Sequence, residues 1–542
     1  MPRNGALRRE FSARGLRREW IRGLSRAEVG GFVGNAMHTP SAHAILTCEQ
    51  ARAFEARFFG GDEAREWAAM QQAGAAVARA ARRDFRELGE FPATARLLVL
   101  VGKGHNGGDA LLAAHEILAT HPAATAEIVF VYGARALRPL AQRAWQQLQT
   151  AMPSRVAVRT PAELAGAYTV SLDGVFGFQF RPPLDATARA ALHAANALPV
   201  RMRVAVDLPS GLDEADAFRA DFTYATGIVK TPALACAHSG RVRYLDLGFP
   251  LDDEPAAERV LTADTLAPLA GWRPASSDKR TFGHVLLLGG SRSYPGAILM
   301  ATLAALRAGA GLVTACVPES LVPAYAARAP EAMWVGWPET PDGNLALEGL
   351  HLLRERLPRV SALVIGPGLG REPETQALVA EIVKLSPVPL VLDADALQPE
   401  LVRLGTAPRI LTPHAGEYAR IACTAELPAA CRELKSVIVA KGPVTRIGDG
   451  ETVWHSLAGG PVLARGGSGD LLAGLIGGLL AQAAAGSDGE NASVLPALRW
   501  AACAGALWHG RAADALARAQ GQTSVQLTAL LDHLPEALRE AS

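Results

Sequence analysis

Short apolar runs recur along this chain, and most end on a glycine or an aspartate before a longer alanine- and leucine-rich stretch. That punctuation limits the fold more than any other feature. An apolar run that does not alternate is the mark of a strand covered on both faces, and strands that alternate with helices build parallel sheets layered between helices. In the first half the runs are 96–101, 127–132, 167–172 and 203–206, separated by helical stretches such as 111–120 and 137–148. In the second half they are 285–288, 312–316, 362–365, 390–392 and 437–440, with helices expected at 297–308, 375–384 and 471–482. A polar, proline-dotted stretch over 250–274 divides the halves, which show no internal repeat. The reading is two different α/β domains, 37–255 and 256–542, behind a basic extension over 1–36 that carries eight arginines and three glutamates.

The chain has 542 residues, too many for one ordinary core, and 49% hydrophobic with 20% charged residues is a globular composition. A net charge of +1 gives no reason to expect a nucleic-acid partner. Six cysteines are scattered without a C-x-x-C pair, which frames neither a disulfide scaffold nor a zinc site and points to a reducing, cytoplasmic setting. The longest apolar run, 471–481, is far short of the roughly 20 residues of a membrane span, so a buried helix is expected and no membrane partner. The extension lacks the long apolar core of a secretory signal; a targeting peptide, an upstream extension and a start-site artefact all stay open for it. Of 54 basic residues only six are lysines, and two of these, Lys103 and Lys441, lie in glycine motifs.

In open α/β sheets ligands gather beyond the carboxyl ends of the strands. The polar residues there form two groups: Gly102–Asp109, Asp173 and 207–210 in the first half; 289–291, 366–370, 393–395, 412–417 and 441–445 in the second, with 466–470 beyond. Gly466-Gly467-Ser468-Gly469-Asp470 opens a long apolar segment. Amides at such a helix start, with the dipole, make an anion site. A carboxylate beside a phosphate cradle repels phosphate, but it suits a base that takes a proton from a hydroxyl about to meet a phosphoryl group. Lys441-Gly442-Pro443-Val444-Thr445 at a strand end suits a nucleotide phosphate or ribose, although a plain strand–turn–strand has the same pattern. Asp393 and Asp395 suggest magnesium or substrate hydroxyls, with helix capping by Asp395 as the alternative.

In the first half, residues 102–107 fit G-x-G-x-x-G. A conventional dinucleotide site needs an acid near the end of the next strand, and 127–132 runs into Gly133 with none. Asp173 follows another strand, and Asp207-Leu208-Pro209-Ser210-Gly211 ends the next in an acid and a turn.

The second half resembles the ADP/ATP-dependent NAD(P)H-hydrate dehydratases of the ribokinase-like superfamily. The matching motifs run in order from Lys279 with Phe282-Gly283-His284, through Gly289-Gly290-Ser291, Tyr294 and Gly296-Ala297, Ala305–311, GPGLG at 366–370, DADAL at 393–397, TPHAGE at 412–417 and AKGPVT at 440–445 to GGSGD at 466–470; Gln398 stands where that family usually has asparagine. The first half resembles the NAD(P)H-hydrate epimerases over roughly 45–250, with His105 in place of a loop asparagine, Ala110 in place of a glycine, and Gly177-Phe178-Gln179 in place of Gly-Thr-Gly.

The resemblance implies a Rossmann-like three-layer N-terminal domain and a ribokinase-like three-layer C-terminal domain. It implies ADP as co-substrate, Mg2+ and K+, with hydrated NAD(P)H and an adenine nucleotide as small-molecule partners; a homo-oligomer is expected. By position, Asp470 is the base that deprotonates the C6 hydroxyl, Ala297, Gly368 and His414 contact the hydrated nicotinamide, and Lys441, Gly442, Pro443, Val444, Thr445 and Gly469 hold the nucleotide. In the first half Asp207 is the acid–base, His105, Asn106, Gly107, Gly108 and Asp109 join it on the substrate, and Asn106, Asp173 and Ser210 ligate potassium. Two alternatives remain: a first domain that only binds or oligomerises, and a ribokinase-like kinase releasing a stable phosphorylated product, against which TPHAGE and the fused first domain both speak.

Overall fold

The computed structural model describes residues 39–486 and 494–539; the extension expected over 1–36 lies outside them. Two sheets organise the chain. The first has seven strands in the order Val156–Val158, Thr125–Phe130, Arg96–Val101, Tyr168–Gly174, Val200–Val206, Phe222–Thr226, Arg241–Leu245, every neighbouring pair parallel. Numbered from Arg96–Val101, this is the 3-2-1-4-5-6 order of a doubly wound sheet with one strand added. The order reverses between Arg96–Val101 and Tyr168–Gly174, so a crevice opens beyond their carboxyl ends.

The second sheet has eleven strands: Ala42–Ala44, Glu258–Leu261, Val453–Ser456, Thr445–Gly448, Val437–Ala440, Arg409–Leu411, Leu390–Leu392, Ala362–Ile365, His284–Leu288, Leu312–Pro318 and Met333–Trp337. From Val437–Ala440 onward all neighbours are parallel, and the order reverses between His284–Leu288 and Ala362–Ile365. Ala42–Ala44, which lies inside the first of the two segments drawn from sequence, pairs antiparallel with Glu258–Leu261 and so forms an edge of the second sheet.

The apolar runs are strands for the expected reason: Leu286, Leu363, Val364, Ile365, Leu390 and Val391 are all fully buried between helical layers. The segment expected as a buried helix is Ser468–Ala485, packed between Pro295–Arg307 and Leu495–Gln520. By length and hydropathy alone it could cross a bilayer, but 67% of it is covered by the protein itself. All six cysteines are unpaired.

Candidate active sites

In the second half the strands Ala362–Ile365, Leu390–Leu392, Arg409–Leu411 and Val437–Ala440 deliver Gly366, Asp393, Thr412 and Lys441 side by side. The Lys441 Nζ lies 3.0 Å from Asp393 Oδ1 and 3.9 Å from Glu417 Oε2, and Thr412 Oγ1 donates to Asp393 Oδ1 at 2.7 Å. Burial works against the ammonium, but Asp393 and Glu417 outweigh it and hold the Lys441 pKa above the usual lysine value.

The helix Ser468–Ala485 starts on this group. Gly467 turns into it at φ +93°, a left-handed conformation that an L side chain rarely adopts, and a Cβ there would fall 2.6 Å from Met300 Cε. The amides of the first turn have no partner within the helix. A Cβ on Gly469 would lie 3.1 Å from Lys441 Nζ and 3.8 Å from Asp393 Oδ2, so the first turn sits directly against the lysine–aspartate pair. Burial, then the charge of Asp393, push the Asp470 carboxyl up to about 6 against the pull of Lys441, with Asp395 and Glu417 adding to the push. A carboxyl there can accept and release a proton near neutral pH.

At the reversal point Gly368 turns at φ +70°, with the place of its Cβ 3.1 Å from Ala297 Cβ and 2.5 Å from the Tyr294 carbonyl oxygen. Ala297 and Gly368 are therefore brought together. His414 caps its own helix, Ala415–Ile421: its Nδ1 accepts from Gly416 N at 3.0 Å and Glu417 N at 3.2 Å, which leaves the proton on Nε2. Lys441, Gly442, Pro443 and Val444 line a cavity of about 610 Å3 with Tyr418, Thr424 and Arg446. Thr445 begins the next strand and is not on that wall.

Asp393 and Asp395, expected to meet magnesium or substrate hydroxyls, are engaged by different partners. The two side chains part across the turn: Asp393 is taken by Lys441 and Thr412, whereas Asp395 accepts from Gly370 N at 3.1 Å and Arg371 Nε at 2.9 Å. The N-cap of the short helix Ala394–Ala396 is Asp393, not Asp395.

In the first half a cavity of about 530 Å3 opens at the reversal point. Its lining includes His105, Asn106 and Asp109 from the first turns of the helix His105–Thr120, with Gly177, Phe178 and Asp207 facing them. Asp207 sits at φ +67° in a buried turn, its Oδ1 2.5 Å from Lys230 Nζ, and both side chains are nearly inaccessible. Phe178 lies over that ammonium at 5.2 Å. Gly107 and Gly108 are buried within the helix against Gly102 and Met70 and are not on the cavity wall. Asp173 is fully buried, accepting from Ser210 N and Ser210 Oγ, both at 2.7 Å, and from Val175 N at 3.1 Å. Phe176 ties these residues to Asn106: its carbonyl accepts from Asn106 Nδ2 at 2.8 Å and its amide donates to Ser210 Oγ at 2.8 Å. Burial pushes Asp173 up to about 6 and Asp109 well above the usual range, the latter with help from Asp207 and Glu55.

Sequence reasoning missed Lys230 and Glu55. Burial raises Glu55 to about 7, with Asp207 and Glu66 pushing the same way and Lys230 opposing. The scarcity of lysine was the available signal for Lys230; nothing local marks Glu55.

A family model described as NAD(P)H-hydrate dehydratase matches residues 285–536, and one described as YjeF-related protein N-terminus matches 67–232. The chain is 36% identical over 511 residues to a bifunctional NAD(P)H-hydrate repair enzyme of Moorella thermoacetica, covering 87% of this chain and 92% of that protein. A namesake from Gloeobacter violaceus is 36% identical over 496 residues, covering 85% and 92%. Among solved structures, an ADP/ATP-dependent NAD(P)H-hydrate dehydratase from Bacillus subtilis is 26% identical with a TM-score of 0.42, covering 52% of this chain and 98% of that one. With both halves matched and most of each full-length relative spanned, the chain belongs to the family of bifunctional NAD(P)H-hydrate repair enzymes.

Proposed function

We propose that the chain repairs hydrated NAD(P)H at two sites. The second site dehydrates the S epimer with ADP as phosphoryl donor, giving AMP and phosphate, and the first interconverts the R and S epimers. The observation that carries this reading is the meeting of Asp470 and the first turn of its helix with Lys441 and Asp393 at the strand ends.

The substrate carries a hydroxyl on C6 of the reduced nicotinamide ring. Hydroxide leaves poorly and phosphate leaves well. Asp470 takes the hydroxyl proton as the oxygen bonds to the terminal phosphorus and the bridging P–O bond breaks, releasing AMP. The backbone of Gly467–Gly469 takes up the phosphoryl charge. The ring-nitrogen lone pair then expels phosphate from C6, and loss of the C5 proton restores the dihydronicotinamide. Lys441–Val444 hold the nucleotide, while Ala297, Gly368 and the Nε2–H of His414 meet the hydrated ring. Magnesium bound with the nucleotide would neutralise phosphate charge during the transfer.

In the first site Asp207, paired with Lys230, is the acid–base at C6. Asn106, Asp173 and Ser210 fit a potassium ion: they offer oxygens with a single buried carboxylate, linked through the Phe176 backbone. Bound there, the ion supplies one positive charge beside Asp173.

The test supplies R- or S-hydrated NADH with ADP, ATP or neither and follows the return of dihydronicotinamide absorbance. Return from the S form with ADP is expected. None with either nucleotide refutes the dehydratase reading, and R-form repair no faster than spontaneous epimerisation refutes the epimerase reading.

A further inference from the structure

The segment 457–465 leads from the strand Val453–Ser456 into the Gly466–Asp470 turn; a buried arginine–aspartate pair holds its start, and an exposed arginine ties its far end. At its start the Arg243 guanidinium, 7% exposed, donates to the Leu457 carbonyl at 2.5 Å and to Asp514 Oδ1 at 2.7 Å. The other oxygen of Asp514 accepts from the Gly459 amide at 2.9 Å. One arginine–aspartate pair thus fixes both a carbonyl and an amide of the turn. Arg241 presses on the next residue: a Cβ on Gly460 would fall 2.4 Å from its Nη1. At the far end Arg465 donates to the carbonyls of Gln522 and Thr523 at 2.8 and 2.6 Å, and the Ser468 amide bonds to the Arg465 carbonyl at 3.3 Å. Gln522 in turn donates to Glu87 at 2.5 Å, and Glu87, its side chain 2% exposed, is held by Arg241 at 3.0 and 2.6 Å.

Glu87, Arg241 and Arg243 all belong to the half of the chain built on the other sheet: the last two lie on its edge strand Arg241–Leu245. We propose that these three residues are positioning residues for the phosphoryl-transfer loop of the second site, so that dehydration depends on the docked first half. This rests on the reading of Asp470 given above. The physical reason is the narrow tolerance of the chemistry. A base and an amide cradle must stand in line with a phosphorus atom, and a shift of about 1 Å far from the reacting atoms can cost about 100-fold in rate. Hydrogen bonds to a charged group in a buried, low-dielectric site are the stiffest non-covalent restraints available. None of the three residues lines either cavity, so their effect runs through the loop.

The experiment is Arg243→Met in the full-length chain, with dehydration and epimerisation measured on the same preparation. The expected result is a kcat for dehydration lower by about tenfold or more, a KM for the hydrated substrate within about threefold, and epimerisation within about twofold, with Arg243→Lys recovering part of the loss because it keeps the charge and one donor. Gln522→Ala, which cuts the Glu87-to-Arg465 link at a partly exposed loop, gives a smaller kcat loss of the same kind and serves if Arg243→Met does not fold. Dehydration at the wild-type rate in these variants overturns the proposal, as does a parallel fall in both activities that tracks a lower Tm. Asp470→Asn is the control: full dehydration there refutes the reading of the site, whereas an inactive Asp470→Asn beside fully active clamp variants refutes the clamp alone.

Discussion

Asp470 should make the protein less stable in the form in which it works. Its carboxyl is raised from 3.8 to about 6, with burial the largest cause and Asp393 next. When a folded-state pKa lies above the unfolded one, the native state favours the protonated group, and ionisation is a penalty. That penalty is absent below about pH 4 and complete above about pH 6, so stability from this group is lost as pH rises through the folded pKa. The shift corresponds to about 3 kcal/mol at 1.36 kcal/mol per unit, and partial solvent access in the cleft reduces it to about 1–2 kcal/mol. Asp470→Asn removes the charge while keeping the shape. It should therefore stabilise the protein by about 1–2 kcal/mol at about pH 8, with the gap closing toward about pH 4. The same variant should lose about 100-fold or more in dehydration, the range of a missing general base. In the wild type the acid limb of the dehydration profile should lie at or above about pH 6, since a bound polyphosphate adds negative charge and pushes the carboxyl further up. Denaturant unfolding of both proteins across this pH range, with turnover measured alongside, checks the reasoning. A variant no more stable than wild type at high pH, or a gap that widens in acid, would refute the electrostatic account; near wild-type turnover would refute the role as base.

Lys230→Met leaves Asp207 buried without its partner and should cost about 3–5 kcal/mol in stability by denaturant unfolding, together with epimerisation; unchanged stability would mean the pair is not buried as described. Lys441→Met should raise the KM for nucleotide and lower kcat, and Lys441→Arg should not rescue, because a planar fork does not replace a point ammonium between Asp393 and Glu417; rescue by arginine in steady-state assays would reject that geometry. Replacing potassium with a bulky organic cation should slow epimerisation and leave dehydration by the second site unchanged, and Asp173→Asn should abolish the difference; equal rates in both salts would remove the ion from the first site.

Much of the architecture can be read without coordinates, and the reason is physical. A parallel strand buried on both faces has to be apolar throughout, and the chain has to turn at its carboxyl end, where ligands bind. Hence 362–365, 390–392 and 437–440 are legible as strands, and so is the placing of Gly368 and Lys441 just beyond strand ends and of Asp470 in the first turn of its helix. Short strands are less so: Ala42–Ala44 and Val156–Val158 at sheet edges, and Thr445–Gly448 inside the second sheet, are three or four residues long and carry no pattern of their own. Three things were decided only in three dimensions. Asp393 and Asp395 look like a pair in the sequence, yet a turn sends one to Lys441 and the other to Arg371. Lys230 finds Asp207 across 23 residues, with Glu55 joining them from far upstream. Arg243 reaches Asp514 across 271 residues, from one sheet to the loop before the other site. Local pattern reports what each residue needs, burial or a turn or a charge partner. Which partner meets that need is set by how the layers pack, and that depends on contacts too distant along the chain to leave a local mark.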